Sequence, residues 1–199
     1  MQRADIFNLR LLGVSVLGAL FFRLLGRYHS GYPYGEFREI RPQPLSEFSP
    51  RAPLPPIAEE IRKEKNSVAI HVRRGDYVNN EDVNFIGIDY FIRAAEYMKK
   101  KLREPVFFVF SDDLNWARKN IGLEKFEKVV FVDNVSPSSD MAVSSLAKNH
   151  IIINSTFVWW CAWLNKNPKK IVVSPRRWHI REPNDIKTSR TNLPEWIAM

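Results

Sequence analysis

The sequence predicts an α/β domain, a parallel sheet with helices against both of its faces, and three observations predict it. From Ile57 onward, short apolar runs rich in β-branched residues alternate with segments of helical spacing. Those runs are nearly continuous rather than alternately apolar and polar, the pattern of strands buried on both faces. The composition, 45% hydrophobic and 26% charged over 199 residues, supplies a core and excludes wholesale disorder.

In chain order, the first feature is the uncharged run Leu11 to Phe22. It is shorter than the roughly 20 residues a membrane-spanning helix needs, so it is read as a buried core segment, with a signal or anchor as the alternative. Between Pro33 and Pro56 lie seven of the 13 prolines, which deny helix and strand alike their backbone donors. Phe37, Leu45, Phe48 and Leu54 among them suggest a connector laid along a domain surface. Five strands are then expected, at Val68–Val72, Val106–Phe110, Lys128–Val132, Ile151–Ile153 and Ile171–Val173. Between them, Asp89 caps a helix carrying Phe91, Ile92, Ala95, Met98 and Leu102 at three-four spacing, with Lys99 to Lys101 at its end, where cations suit the dipole. Further helices are expected at Asp113–Asn120, Asp140–Asn149 and Thr156–Asn165.

The lone Cys161 allows no internal disulfide, and it forms no zinc-type spacing with the four histidines, so a reducing compartment fits. A net charge of +8 favours an anionic partner. The basic residues are scattered instead of gathered into an aromatic-interleaved stripe, which sets nucleic acid aside.

A doubly wound sheet binds ligands beyond the carboxyl ends of its strands, and the residues there are His71-Val-Arg-Arg-Gly-Asp-Tyr77, Ser111-Asp-Asp113, Asn154-Ser-Thr156 and Ser174-Pro-Arg-Arg177. Arg73 and Arg74 before Gly75 offer guanidinium forks suited to a diphosphate, or else form an exposed basic turn paired with Asp76. His71, inside an apolar strand, reads first as a core histidine. Arg74-Gly75-Asp76 also spells an adhesion triplet, but it abuts a buried strand instead of a loop tip. Asn154, Ser155 and Thr156 open a helix and either hold an anion there or simply cap it. They also spell a glycosylation triplet, which leaves no room for a glycan between strand and helix. Ser111, Asp112 and Asp113 offer bonds to the polar edge of a base or ribose, with Asp112 facing the ligand and Asp113 capping the helix, or the two carboxylates hold a magnesium ion.

Together these segments resemble the α-1,2-fucosyltransferase family, glycosyltransferase family 11. His71-Val-Arg-Arg-Gly-Asp-Tyr-Val78 is similar to the family's H-x-R-R-G-D-Y-V, and Phe110-Ser-Asp-Asp-Leu-Asn-Trp116 to its F-S-D-D-x-x-W. Asn154 to Asn165 resembles N-S-T/S-F-S-W-W-x-A-W-L-N, and Val173 to Trp178 resembles A-P-x-x-W, all in the family's order. Weaker landmarks are Ala4 to Leu9 and His29 to Tyr32.

The resemblance implies the C-terminal, donor-binding half of a GT-B fold at residues 57–199, Rossmann-like, with residues 1–56 as a shortened acceptor-side region and proline-rich connector. It implies transfer of L-fucose from GDP-fucose to the 2-hydroxyl of a terminal galactose, with inversion, no metal and no further cofactor. Arg73 would hold the diphosphate with Arg74 supporting; His71 and Asp112 would read guanine; Ser111, Asn154, Ser155, Thr156 and Phe157 would complete the donor site. Asp76 is the candidate base by proximity, with holding the arginines as its other role. The partners implied are GDP-fucose and a galactose-terminated glycan, with no nucleic acid. The location implied is the cytoplasm, with membrane association as the alternative. The chain departs from the family in lacking a G-G-L-G-N-Q-like segment and in reading Val143-Ser-Ser-Leu-Ala147 where L-M-S-x-C is usual. It is also shorter than its relatives, which implies N-terminal truncation. Two alternatives stand beside the enzyme: a catalytically impaired homologue that only binds GDP or GDP-fucose, and a basic protein that binds nucleic acid or a membrane surface.

Overall fold

In the computed structural model, residues 53–77, 86–133, 137–178 and 192–199 are described. The proline-rich stretch before residue 53 and the apolar run Leu11 to Phe22 lie outside them. Leu54–Met199 forms one compact unit, and its elements in order are α1 (Ile57–Lys63), β1 (Ser67–Val72), a 3-10 turn (Gly75–Tyr77), α2 (Ile88–Lys101), β2 (Val106–Ser111), α3 (Leu114–Asn120), β3 (Val129–Phe131), α4 (Pro137–Ser144), β4 (Asn149–Ile151), α5 (Thr156–Leu164), β5 (Val172–Ser174) and β6 (Ile197–Ala198). The strands form one six-stranded sheet in the order β3-β2-β1-β4-β5-β6, and every pairing is parallel. This is the Rossmann-like α/β architecture the apolar runs predict.

Central strands β1 and β2 are buried at every position, which is why their sequences lack alternation. On one face, Ala69, Phe108 and Phe110 pack with Ala58 and Ile61 of α1 and with Val143 of α4. Each large side chain removed from water in this way contributes about 1.5 to 3 kcal/mol. Helix α2 buries Tyr90, Phe91, Ala94, Ala95 and Met98, one stripe at helical spacing. The Tyr90 hydroxyl donates to the carbonyl of Ile152 at 2.6 Å and lies 3.2 Å from that of Val173, pinning the start of α2 across β4 and β5. Gly122 follows α3 at φ 71°, a left-handed helix stop that glycine adopts without a Cβ penalty.

Several expected boundaries shift for local reasons. Helix α2 starts after Gly87, with Asp89 in its first turn instead of at the cap. The helix expected at Asp140–Asn149 begins at Pro137 and stops at Ser144; proline suits a first helical position, where its missing N–H is not needed. Asn149 joins β4 because its side chain stands in for backbone, donating to Ser67 O at 3.3 Å and accepting from Ile171 N at 2.9 Å. Helix α1 and the two-residue β6 are additions to the elements expected from sequence.

Candidate functional site at the strand ends

The chain leaves β1 toward β2 and β3 on one side, then crosses to β4, β5 and β6 on the other. The switch point therefore lies between β1 and β4, and the loops leaving those two strands splay apart into a crevice. One loop carries Arg73 to Tyr77; the other carries Asn154, Ser155 and the start of α5.

Register positions the first group. Val72 pairs with Ser111, so Arg73 and Asp112 emerge side by side, and Arg73 Nε lies 3.3 Å from Asp112 Oδ2. The Asp112 carboxylate also accepts from the backbone N–H of Arg74 at 2.8 Å and of Gly75 at 3.0 Å. Both of its oxygens thus hold the loop, in charge-assisted bonds of the stronger kind. A Cβ on Gly75 would stand 2.8 Å from Asp112 Oδ2, so any other residue there would push the carboxylate off its present position.

The two arginines are placed differently. Arg74 Nε forms a 3.4 Å ion pair with Asp113, and its guanidinium lies 4.0 Å over the Trp116 ring. Asp113 is also the cap of α3, accepting from Trp116 N at 3.0 Å. Arg74 is therefore built into the β2–α3 junction, whereas the Arg73 side chain stays 43% exposed. Of the two, Arg73 is the more exposed, with its guanidinium 5.9 Å from the Tyr77 ring centroid.

His71 pairs in register with Phe110 and stacks on its ring at 5.1 Å and 15°, with Phe157 of α5 edge-on at 6.3 Å. Burial among these rings lowers the imidazole to about 3, so it is neutral at physiological pH. Its Nε2 is buried without a hydrogen-bond partner, an uncommon state for an interior polar atom that points to a role beyond core filling. A neutral imidazole nitrogen can donate to or accept from a ligand edge.

Ser155 is the cap residue of α5, with no side-chain cap bond, and it is buried beside the equally buried Asn154. The first amides of α5 have no partner within the helix and carry its positive dipole end. Ser111 Oγ accepts from Asp113 N at 3.0 Å, a role in the junction. The backbones of Asp76 and Thr156 fall in the 3-10 turn and at the first residue of α5; their side chains lie outside the described part.

One titratable group was not assigned from sequence. Asp140, in the first turn of α4, is buried, and burial raises its carboxyl to about 7. It interacts with Cys161, whose thiol burial pushes up to about 12. Among the described residues, no three His, Cys, Asp or Glu side chains gather as metal ligands, and no helix is long and apolar enough to cross a membrane. A cleft of about 570 Å³ lies at the opposite end of the sheet, lined by Glu60, Glu64, Val106, Glu127 and Lys128. It contains none of the strand-end residues.

The fold defines the class: a Rossmann-like α/β domain on a six-stranded parallel sheet, with a guanidinium, a helix N-terminus and a neutral imidazole at or just beyond the carboxyl ends of its strands. Residues 57–199 match glycosyl transferase family 11, and the chain belongs to that family. It is 42% identical over 123 residues to an alpha-1,2-colitosyltransferase of Escherichia coli, covering 59% of this chain and 42% of the relative. It is 38% identical over 144 residues to the O-antigen biosynthesis glycosyltransferase WbnK of Escherichia coli, covering 70% and 46%. With galactoside 2-alpha-L-fucosyltransferase Sec1 of Mus musculus it shares 28% over 199 residues, covering 85% and 50%. The chain spans about half the length of the curated relatives it matches.

Proposed function

We propose that the strand-end crevice binds the GDP moiety of GDP-fucose and serves transfer of L-fucose to the 2-hydroxyl of a terminal galactoside. In this reading, residues 57–199 are the donor half of a GT-B fold and residues 1–56 belong to the acceptor side. The observation that carries it is the Asp112 clamp, which fixes the Arg74 and Gly75 amides and leaves Arg73 half exposed at the switch point. The names of relatives, with fucosyl and colitosyl transfer among them, supply the sugar class.

The acceptor hydroxyl attacks the anomeric carbon from the face opposite the diphosphate, and the carbon–oxygen bond to GDP breaks with inversion. Negative charge gathers on the departing diphosphate. Arg73 and the first amides of α5 stabilise that charge from fixed positions, the kind of electrostatic preorganisation that supplies the largest catalytic term in many enzymes. With these two sources of positive charge, the transfer proceeds without a metal. His71, neutral and stacked on Phe110 with Phe157 edge-on, bonds the guanine edge. Asp76 is the candidate base for the acceptor hydroxyl.

The test is calorimetric titration of the full chain with GDP-fucose in EDTA, with GDP-mannose as competitor. Binding by wild type and its loss in Arg73→Ala are expected. Binding that survives in Arg73→Ala overturns the assignment of Arg73. The colitosyltransferase relative favours a second donor, so turnover with lactose is compared for fucosyl and colitosyl donors. Binding without turnover identifies a donor-binding homologue that does not catalyse transfer.

A further inference from the structure

The residues that border the crevice belong to separate loops, and side-chain amides tie those loops together. Tyr77, closing the 3-10 turn by donating its N–H to Arg74 O at 2.8 Å, sends its hydroxyl to Asn154 O at 2.9 Å. Asn154 Nδ2 donates to Trp178 O at 2.8 Å, joining the loop after β4 to the loop after β5. Trp178 Nε1 donates to Asn192 Oδ1 at 3.1 Å, and Asn192 Nδ2 donates to Pro175 O at 3.0 Å. The orientation of Asn192 is dictated by chemistry, because an indole N–H only donates and a proline carbonyl only accepts. Asn154, Trp178 and Asn192 are all buried, so an unmade bond would leave a polar atom without water.

We infer that Asn192 is a positioning residue of this crevice: by bridging Trp178 and Pro175 it sets the loop that holds Asn154, and through Asn154 both the start of α5 and the turn that carries Arg73. The inference rests on the donor-site reading above for its functional consequence, but not for the coupling itself. The terminal segment has a second hold on the same helix, since Trp196 lies 5.6 Å from Trp159 of α5. The backbone of β6 continues the connection, with Arg176 N donating to Met199 O at 2.7 Å and Met199 N to Ser174 O at 2.9 Å. The last residues of the chain thereby act on a site whose ligand-facing groups come from much earlier positions.

Two measurements on the full chain test this. The first is hydrogen exchange in Asn192→Ala without ligand: the amide of Tyr77 is expected to exchange about tenfold faster or more, while amides of β2 keep their protection relative to global stability. The second is GDP titration of Asn192→Ala, Tyr77→Phe and the double variant. Each single variant is expected to weaken GDP about three- to tenfold. The double variant is expected to fall short of the product of the two losses, because both act through Asn154. Ile61→Val, in α1 and remote from the crevice, is the control for simple destabilisation and is expected to bind GDP as wild type does.

Unchanged Tyr77 exchange together with GDP affinity within twofold of wild type overturns the inference, as does a double variant whose losses multiply. If wild type does not bind GDP, the donor-site reading fails, and the exchange measurement alone decides whether Asn192 positions the turn.

Discussion

At the amino ends of β1 and β4, polar side chains bond to one another and to nearby carbonyls, whereas at the carboxyl ends a carboxylate holds loop backbone in place beside a half-exposed guanidinium. Asn165 illustrates the first case: Nδ2 donates one hydrogen to Ala147 O at 2.6 Å and the other to His150 Nε2 at 2.8 Å, while its backbone carbonyl accepts from Lys170 Nζ at 2.7 Å. Asp112 illustrates the second. Its carboxylate grips two amides of the next loop, and the gain is the position of Arg73. On the proposed function, the same sheet separates stability from ligand chemistry by strand polarity, and substitutions at the two ends are expected to have different signatures.

The largest effect on function is expected at Arg73. On the proposed function, Arg73→Ala should lower fucosyl transfer by roughly 10² to 10³, the cost of removing a preorganised charge partner of a leaving group. Thermal stability should barely change, because an exposed ion pair contributes about 0 to 1 kcal/mol. Steady-state kinetics beside a melting curve checks both. A large fall in Tm with unchanged kinetics would place Arg73 among the structural groups and break the comparison.

Asp112→Ala is expected to affect both quantities, since it frees two loop amides and removes the carboxylate beside Arg73. A loss of about 2 to 4 kcal/mol in stability and a tenfold or greater loss of GDP affinity are expected from denaturant melts and calorimetry. Gly75→Ala, which intrudes on the same carboxylate, should lose affinity in parallel. At the opposite end, Asn165→Ala should cost about 2 to 3 kcal/mol by leaving buried partners unsatisfied. The folded fraction of that variant should bind GDP as wild type does. Weakened binding there would show that the two ends are coupled.

The sheet was legible because β1 and β2 are buried on both faces, which writes near-continuous apolar runs into the sequence. Helix α1 was not, because Pro55 and Pro56 make its approach read as linker, and β6 is too short at two residues to show periodicity. The strand-end rule brought His71, Arg73, Asp112, Asn154 and Ser155 to one edge, since parallel strands all finish on the same side. Which atoms they grip was not legible, because the Asp112 bonds depend on register between distant strands. Asp140 escaped notice for a different reason. A carboxylate in a first helical turn is the ordinary complement to the dipole, and only packing shows that this one is buried.

The smallest expected effect is a pH dependence in which the buried carboxyl opposes the buried imidazole. Burial holds His71 at about 3 in the folded chain, below its ordinary 6.5, so the unfolded chain binds the extra proton as pH falls. Its contribution is complete above about 6.5 and is lost toward 3. His150, also lowered by burial, acts in the same direction. Asp140 is raised from 3.8 to about 7, so here the folded chain binds the extra proton; its contribution is greatest below 3.8 and is lost as pH rises through 7. Between about 4 and 6.5 the slopes have opposite signs and partly cancel. Asp140→Asn removes the falling term, so stability of the variant should climb more steeply with pH from 4 to 6.5. At pH 8 it should exceed wild type by about 1 to 2 kcal/mol, discounting for partial wetting of the carboxyl. Denaturant melts at pH 4, 6.5 and 8 measure this. An unchanged profile in Asp140→Asn would mean the carboxyl is ionised in the folded chain, and the burial argument for that corner of α4 would fail.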